Sequence, residues 1–122
     1  MTGLSVIIVN YNVRQFVLQT LHSIYQSQLD GLSIEVVVVD NNSSDGSVEA
    51  IRYHFPQTTI IANKDNPGFS KANNQGIGIS KGEFILLLNP DTVLEEYTLA
   101  MSVARMKAES DIGALGVKMI DG

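Results

Sequence analysis

The sequence has 122 residues, 44% of them hydrophobic, which is enough to build one small α/β domain around a buried core. A net charge of −5 argues against a general nucleic-acid-binding function, because such proteins present a basic surface to phosphates. The absence of cysteine excludes disulfides and thiolate metal sites, and the first apolar run, 4–9, is far shorter than the roughly 20 residues of a membrane helix.

Strand-like and helix-like segments alternate along the whole chain. A strand is predicted over Leu4–Asn10, and helical spacing of apolar residues follows over 14–28. Four valines within Ile34–Asp40 predict a second strand that is buried on both faces, as strands of parallel sheets are. The later segments predict helices over 48–55, 70–80 and 93–109 and strands over 58–62, 83–88 and 112–119. This alternation predicts βαβ units, a mostly parallel sheet and therefore an α/β fold.

Polar residues follow each of the first four predicted strands. They occupy 10–12 after the first strand, 40–46 after the second, 63–68 after the third and 89–92 after the fourth. Because the carboxyl ends of parallel strands meet at one edge of the sheet, we expect these residues to bind a polar ligand there. The opposite ends of the strands carry fewer polar residues, which strengthens the expectation.

Asp40 ends the valine-rich strand and has two interpretations. Its carboxylate is suited to accept hydrogen bonds from a ribose diol or from the imide N–H of a base. The alternative is a cap for the following helix, since Asp is favoured there. Ser43, Ser44 and Asp45 lie closer to the predicted helix start, which favours the ligand role for Asp40.

Asp91 also has two interpretations. Thr92 and Glu95 have the spacing of a capping box, which would leave Asp91 free to bind a hard divalent cation. Such a cation would bridge to a diphosphate and stabilise it as a leaving group. In the alternative, Asp91 itself caps the helix.

Segment 66–69, Asn-Pro-Gly-Phe, is typical of a type II turn with positive φ at Gly68. The helix predicted after it contains Gly76 and Gly78, each of which costs a helix roughly 1 kcal/mol relative to Ala. These glycines indicate either close packing on the sheet or contact with a ligand, and the sequence favours neither.

Common catalytic and phosphate-binding motifs are missing from the sequence. No G-x-G-x-x-G follows the first strand and no G-x-x-x-x-G-K-[ST] occurs, which disfavours a dinucleotide site of that kind and a P-loop. The two histidines, His22 and His54, lie inside predicted helices, so triad-type nucleophilic catalysis has no support.

Four segments in a fixed order carry a family resemblance: 6–12 (VIIVNYN), 35–47 (EVVVVDNNSSDGS), 66–76 (NPGFSKANNQG) and 82–92 (GEFILLLNPDT). Together they resemble family 2 inverting glycosyltransferases with the GT-A fold, and they are most similar to the branch that includes rhamnosyltransferases. The resemblance implies a three-layer, Rossmann-like α/β sandwich with a mostly parallel central sheet. It also implies that this chain is the truncated N-terminal part of a longer enzyme.

The resemblance implies roles for individual residues. Asp91 is the expected ligand of a divalent cation, Mg²⁺ or Mn²⁺, in a D-x-D-like motif that begins at Asn89. Asn89 replaces a carboxylate that many members have, and Asn73 stands where many members carry arginine. The residues implied to bind the substrate are Asn10, Tyr11, Asp40, Asn42, Gly68, Phe69, Asn73 and Asn89.

The implied reaction transfers a sugar, with inversion, from a UDP- or dTDP-linked donor to a hydroxyl of a carbohydrate or lipid-linked acceptor, in cell-surface polysaccharide synthesis. The general base of such a reaction is expected beyond residue 122. We therefore expect residues 1–122 to form a single donor-binding domain that is nearly inactive alone. We further expect a cytoplasmic protein, either free or at the cytoplasmic face of the membrane, with no nucleic acid partner. A homodimer is compatible with these expectations.

Two functions from other classes are alternatives to this one. A non-catalytic nucleotide-binding or assembly module would use the same fold without turnover. A receiver-like signalling domain shares the alternating pattern but requires an acidic pair after the first strand, where the sequence has Asn10, Tyr11 and Asn12.

Overall fold

A five-stranded parallel sheet forms the centre of the molecule in the computed structural model, which describes residues 2–109 and 118–121. Its strands lie in the order β3-β2-β1-β4-β5, and every neighbouring pair is parallel. In chain order the elements are β1 Leu4–Asn10, α1 Arg14–Tyr25, β2 Ile34–Asp40, α2 Ser47–His54, β3 Thr59–Ala62, α3 Phe69–Ile79, β4 Phe84–Leu88, α4 Thr98–Glu109 and β5 Lys118–Asp121. The predicted parallel α/β fold is confirmed.

The register aligns the carboxyl ends of the first four strands. Asn10 of β1 pairs with Asp40 of β2, which pairs with Ala62 of β3, and Ile8 of β1 pairs with Leu88 of β4. After β3 the chain returns across the sheet to add β4 on the other side of β1. The direction of strand addition therefore reverses beside β1, and open α/β sheets bind ligands outside the carboxyl ends at such a point.

Helices cover both faces of the sheet, so the fold has three layers. Alternate residues of β1, such as Val6 and Ile8, pack against α1, α2 and α4, while Ile7 and Val9 pack on the opposite side with Ala72 of α3. Burial on both faces explains why the central strands are almost entirely apolar.

Gly76 explains the poor helical sequence of α3. A Cβ atom at Gly76 would lie 2.6 Å from Cγ2 of Ile7, so the helix approaches β1 too closely for any side chain there. A Cβ at Gly78 would meet nothing within 4 Å. Close packing, one of the two interpretations of this helix, therefore accounts for Gly76 and leaves Gly78 without a packing role.

The predicted capping box at Thr92 is wrong, because α4 begins only at Thr98. The preceding segment is hydrogen-bonded to α1 and to the residues just after it: the Leu94 N–H donates to Ser23 Oγ (3.0 Å), and the Gln28 N–H donates to the carbonyl of Glu96 (2.8 Å). These tertiary hydrogen bonds override the local helix signal. Asp91 caps no helix either, so both capping interpretations fail.

Two further expectations differ from the structure. Gly68 has φ +95° as predicted, but its ψ of 169° is not that of a type II turn, and Gly68 serves instead as the N-cap residue of α3. Residues 112–117 of the predicted last strand lie outside the described residues. Within the described residues, β5 begins at Lys118. Within the described part of the chain, no helix has the length and apolar character needed to cross a membrane.

Candidate functional site

The carboxyl edge of the sheet carries the loops that follow β1, β2, β3 and β4. Asn12 and Asn42, two residues beyond the ends of β1 and β2, adopt left-handed conformations with φ of 52° and 67°. Asn tolerates this region better than most residues because its short amide forms local hydrogen bonds. These two turns, together with Gly68, redirect the chain around the same part of the edge.

Asp40 is a buried hydrogen-bond acceptor that connects the end of β1 to the loop after β2. It is only 2% exposed, and its Oδ1 accepts hydrogen bonds from Asn10 Nδ2 (2.8 Å) and Ser43 Oγ (2.7 Å). Its Oδ2 accepts the Ser43 backbone N–H at 2.8 Å. The predicted contact with a base or ribose stays a prediction, and it requires a ligand that shares Oδ2 or displaces Ser43.

Asp45, rather than Asp40, satisfies the start of α2. One oxygen accepts the Ser47 N–H (3.0 Å) and the Ser47 hydroxyl, and the other accepts the Arg14 N–H at 2.9 Å. Burial alone would raise the pKa of Asp45, but these hydrogen bonds outweigh it and hold the pKa below its usual value. The N-cap residue of α2 is Gly46, so Asp45 lies just outside the helix and satisfies only the Ser47 N–H of its first turn.

Asn10 has a buried hydrogen-bond acceptor without a partner in the described part of the chain. Its side chain is fully buried, and Nδ2 donates to Asp40 and to Ser43 Oγ (3.3 Å). Its Oδ1 is buried and accepts no hydrogen bond from any residue that the structure describes. An unsatisfied buried acceptor costs about 1–3 kcal/mol, so such atoms are rare and call for a functional explanation.

A chain of amide side chains connects β2, β3 and α3. Asn41 Oδ1 accepts from Asn63 Nδ2 (3.0 Å), and Asn41 Nδ2 donates to the Gly68 carbonyl (3.4 Å). Asn63 and Gln75 exchange a reciprocal pair of hydrogen bonds at 2.9 and 3.0 Å. Sequence reasoning missed this cluster; its only signal was the excess of Asn and Gln in segments whose proximity the sequence does not reveal.

Asn89 and Asp91 are exposed beyond the end of β4. They line a shallow cavity of about 350 Å³ together with Val13, Phe16 and Pro90. The Thr20 hydroxyl donates to the Pro90 carbonyl (2.7 Å), which fixes this loop against α1. The result is a carboxylate and an amide next to an aromatic wall.

The metal-binding capacity of this cavity is modest. Within 2–109 and 118–121, no three His, Cys, Asp or Glu side chains come together as a metal cluster. The carboxylate of Asp91 and the amide oxygen of Asn89 are nevertheless the hard oxygen donors that Mg²⁺ and Mn²⁺ prefer. Mg²⁺ is commonly held by one or two carboxylates together with substrate phosphates, so these residues fit a cation that the substrate helps to bind.

The remaining predicted site residues differ in accessibility. Tyr11 and Phe69 are 50% and 59% exposed, so each presents an aromatic ring to solvent, whereas Asn73 on α3 is buried. Asn42 is exposed. The structure joins Asn10 and Asp40 directly; no hydrogen bond between described residues links Asp91 to either of them.

Comparison with known proteins gives consistent results. The family Glycosyl transferase family 2 matches residues 5–121. "Minor teichoic acid biosynthesis protein GgaB" of Bacillus subtilis is 28% identical over 124 residues, which cover 97% of this chain and 14% of GgaB.

Two solved structures extend the comparison. S. aureus TarS 1–349 in complex with UDP-GlcNAc superposes with a TM-score of 0.75 at 25% identity, covering 88% of this chain and 32% of TarS 1–349. Mannosyltransferase PcManGT from Pyrobaculum calidifontis, in complex with GDP-Man and Mn²⁺, gives a TM-score of 0.73 at 29% identity, covering 82% of this chain and 31% of PcManGT. The predicted GT-A architecture is confirmed, and the chain spans about a third or less of these proteins.

Proposed function

The chain belongs to glycosyl transferase family 2, and we propose that residues 1–122 form the donor-binding domain of an enzyme that transfers a sugar from a nucleoside-diphosphate sugar. The observation that carries the proposal is the buried, unpaired Oδ1 of Asn10 at the reversal point of the sheet. Solved relatives with the same fold hold UDP-GlcNAc and GDP-Man. GgaB, named for teichoic acid biosynthesis, supports a cell-surface polysaccharide as the product.

The nucleoside is assigned to the loops after β1 and β2. Asn10 Oδ1 would accept a hydrogen bond from a base N–H or a ribose hydroxyl, which requires a shift of the surrounding loop because Asn10 is fully buried, and which would remove the cost of the unpaired acceptor. The exposed ring of Tyr11 offers a face on which a base can stack. Asp40 and Asn42 complete the nucleoside contacts in this proposal, and a UDP- or dTDP-linked donor fits them.

The sugar diphosphate is assigned to the space between the start of α3 and the loop after β4. In this proposal Gly68 and Phe69 would border the diphosphate on one side and Asn89 and Asp91 on the other, with Asn73 contributing from α3. Asp91, with Asn89, would hold a divalent cation that neutralises charge on the departing diphosphate when it is bound. Mn²⁺ accompanies GDP-Man in PcManGT, which supports this assignment.

The acceptor hydroxyl requires a general base, which we assign to residues outside 1–122. A single displacement at the anomeric carbon would then invert its configuration. Glu95 and Glu96 precede α4 and are exposed. The Glu96 carbonyl accepts the Gln28 N–H, which places this segment near the end of α1 and away from the ends of β1 and β2. Neither glutamate is therefore favoured as the general base. The chain alone is therefore expected to bind donor with little or no turnover.

A non-catalytic nucleotide-binding module is the second candidate. The observation in its favour is the single carboxylate at the expected metal site, where Asn89 stands in place of a second acidic residue. Such a module would bind a nucleotide sugar without transferring the sugar, in the full-length protein as well as in this chain.

Calorimetry with UDP-, dTDP- and GDP-sugars, with and without Mn²⁺, tests the proposal. We expect one nucleotide to bind this chain, more tightly with the cation than without it. Turnover by the full-length protein with the bound donor supports the transferase, whereas binding without turnover supports the module. Failure of every nucleotide to bind, with the cation present, contradicts both functions.

A further inference from the structure

Asn41 occupies a connecting position that neither the sequence motifs nor the family resemblance assigns. It follows the last residue of β2, is 3% exposed, and its backbone N–H donates to the Asn10 carbonyl at 2.9 Å. Both ends of its side-chain amide are used, one toward Asn63 and the other toward the Gly68 carbonyl. A buried amide with partners at both ends of the loop 63–68 between β3 and α3 has little freedom to rotate.

Gly68, at the other end of this connection, sets the start of α3. Its carbonyl accepts the Ala72 N–H (3.2 Å) as the first helical hydrogen bond, and its own N–H donates to Asn66 Oδ1 at 3.0 Å. Its φ of +95° is accessible mainly to glycine, and no side chain caps the helix. The adjacent Phe69 ring is 59% exposed, so few packing contacts fix the segment from the outside.

We propose that Asn41 is a positioning residue that holds the segment 66–69 at the donor site through its hydrogen bond to the Gly68 carbonyl. The hydrogen bond from Asn63 Nδ2 to Asn41 Oδ1 keeps the Asn41 amide in the orientation that directs Nδ2 toward Gly68. Asn41 thereby couples the loop assigned to the nucleoside to the loop that borders the diphosphate. This inference rests on the proposed function, because it takes segment 66–69 as part of the donor site.

Asn41→Asp is the sharpest test, because it keeps the shape and the acceptor toward Asn63 but replaces the donor toward Gly68 with an oxygen. Gln75→Glu is the matched control: it adds the same charge and removes one donor within the same cluster, at an exposed position that does not touch Gly68. Hydrogen exchange of the nucleotide-free chain and calorimetry with the nucleoside diphosphate that binds the wild type are the two measurements.

We expect Asn41→Asp to speed amide exchange in 66–72, with exchange in α1 unchanged, and to weaken nucleotide binding about tenfold. Gln75→Glu should leave both quantities within about twofold of the wild type. Equal exchange and equal affinity for Asn41→Asp and the wild type would overturn the inference. An equal loss in both variants would also overturn it, since the effect would then follow charge or cluster stability.

Two further outcomes keep the test decisive. If Asn41→Asp does not fold, Asn63→Ala releases the Asn41 amide from its second partner and should give the same local increase in exchange; no increase contradicts the inference. If the wild type binds no nucleotide, the proposed function fails, and exchange in 66–72 alone decides whether Asn41 holds the segment.

Discussion

The two edges of the sheet use buried polar groups in opposite ways. At the amino edge, the Ser5 hydroxyl donates to Glu35 Oε2 (2.5 Å) and accepts the Gly82 N–H (2.8 Å), while the Lys81 N–H donates to the same Glu35 oxygen (2.5 Å). Every one of these groups has a partner within the fold. At the carboxyl edge, Asn10 keeps a buried acceptor without one.

The difference supports the proposed placement of the donor at the carboxyl edge. The amino edge joins β1, β2 and the turn before β4 in a closed set of hydrogen bonds, so its polar residues serve stability. The carboxyl edge retains the unpaired oxygen of Asn10, and a bound ligand that donates to it would offset the cost of its burial. Substitutions at the two edges should therefore separate stability from binding.

Gly82→Ala, at the amino edge, should have the largest effect. The added Cβ would lie 2.6 Å from the Ser5 nitrogen and 2.8 Å from the Phe84 carbonyl oxygen, and backbone atoms have little room to shift. We expect the free energy of unfolding to fall by about 3 kcal/mol in urea denaturation. A change below about 0.5 kcal/mol would mean that the amino edge is not closely packed.

Gly76→Ala should be the next most disruptive, and Gly78→Ala is its control in the same helix. The Gly76 variant places a Cβ 2.6 Å from the Ile7 side chain, so its free energy of unfolding should fall by about 2 kcal/mol. The Cβ of the Gly78 variant has no atom of the described residues within 4 Å, so the higher helix propensity of alanine should raise the free energy of unfolding by about 0.5–1 kcal/mol. Thermal unfolding measures both changes. If the two variants changed stability in the same direction, the close packing of α3 on β1 would be contradicted.

Asn10→Ala should weaken nucleotide binding about tenfold, because it removes both the free acceptor and a donor to Asp40. Ser5→Ala removes a buried hydroxyl from the same strand at the other edge. It should lower the free energy of unfolding by about 1–3 kcal/mol and leave the affinity unchanged. Calorimetry of both variants checks the separation; a similar loss of affinity in both would show that stability, rather than the site, controls binding.

Substitution of Asp45 should have the smallest effect on stability, and that effect should depend on pH. Its pKa is lowered in the folded state, so its stabilisation is complete above its unfolded value of about 3.8 and is lost as the pH falls through the folded value. We expect Asp45→Asn to be less stable than the wild type at pH 6, with the difference shrinking below about pH 3.8. A constant difference between pH 6 and pH 3 would contradict the assigned hydrogen bonds.

The sequence predicted the sheet accurately but missed several contacts around the candidate site. Valine and isoleucine runs gave β1 and β2 with the observed bounds, because burial on both faces leaves little choice of residue. The start of α4 was missed because Ser23, distant in sequence, binds the Leu94 N–H. The burial of Asp40 depends on its bonds to Asn10 and Ser43, which a residue pattern alone does not reveal.

Location of the ligand tests the central claim most directly. A ¹⁵N-labelled chain titrated with the nucleotide sugar that binds it, in Mg²⁺, reports the site through amide chemical shifts. We predict saturable shifts at 10–12, 41–43, 68–69, 89 and 91, with Ser5, Glu35 and Gly82 unchanged. Shifts centred on the amino edge, with the carboxyl edge silent, would contradict the assignment of the donor site.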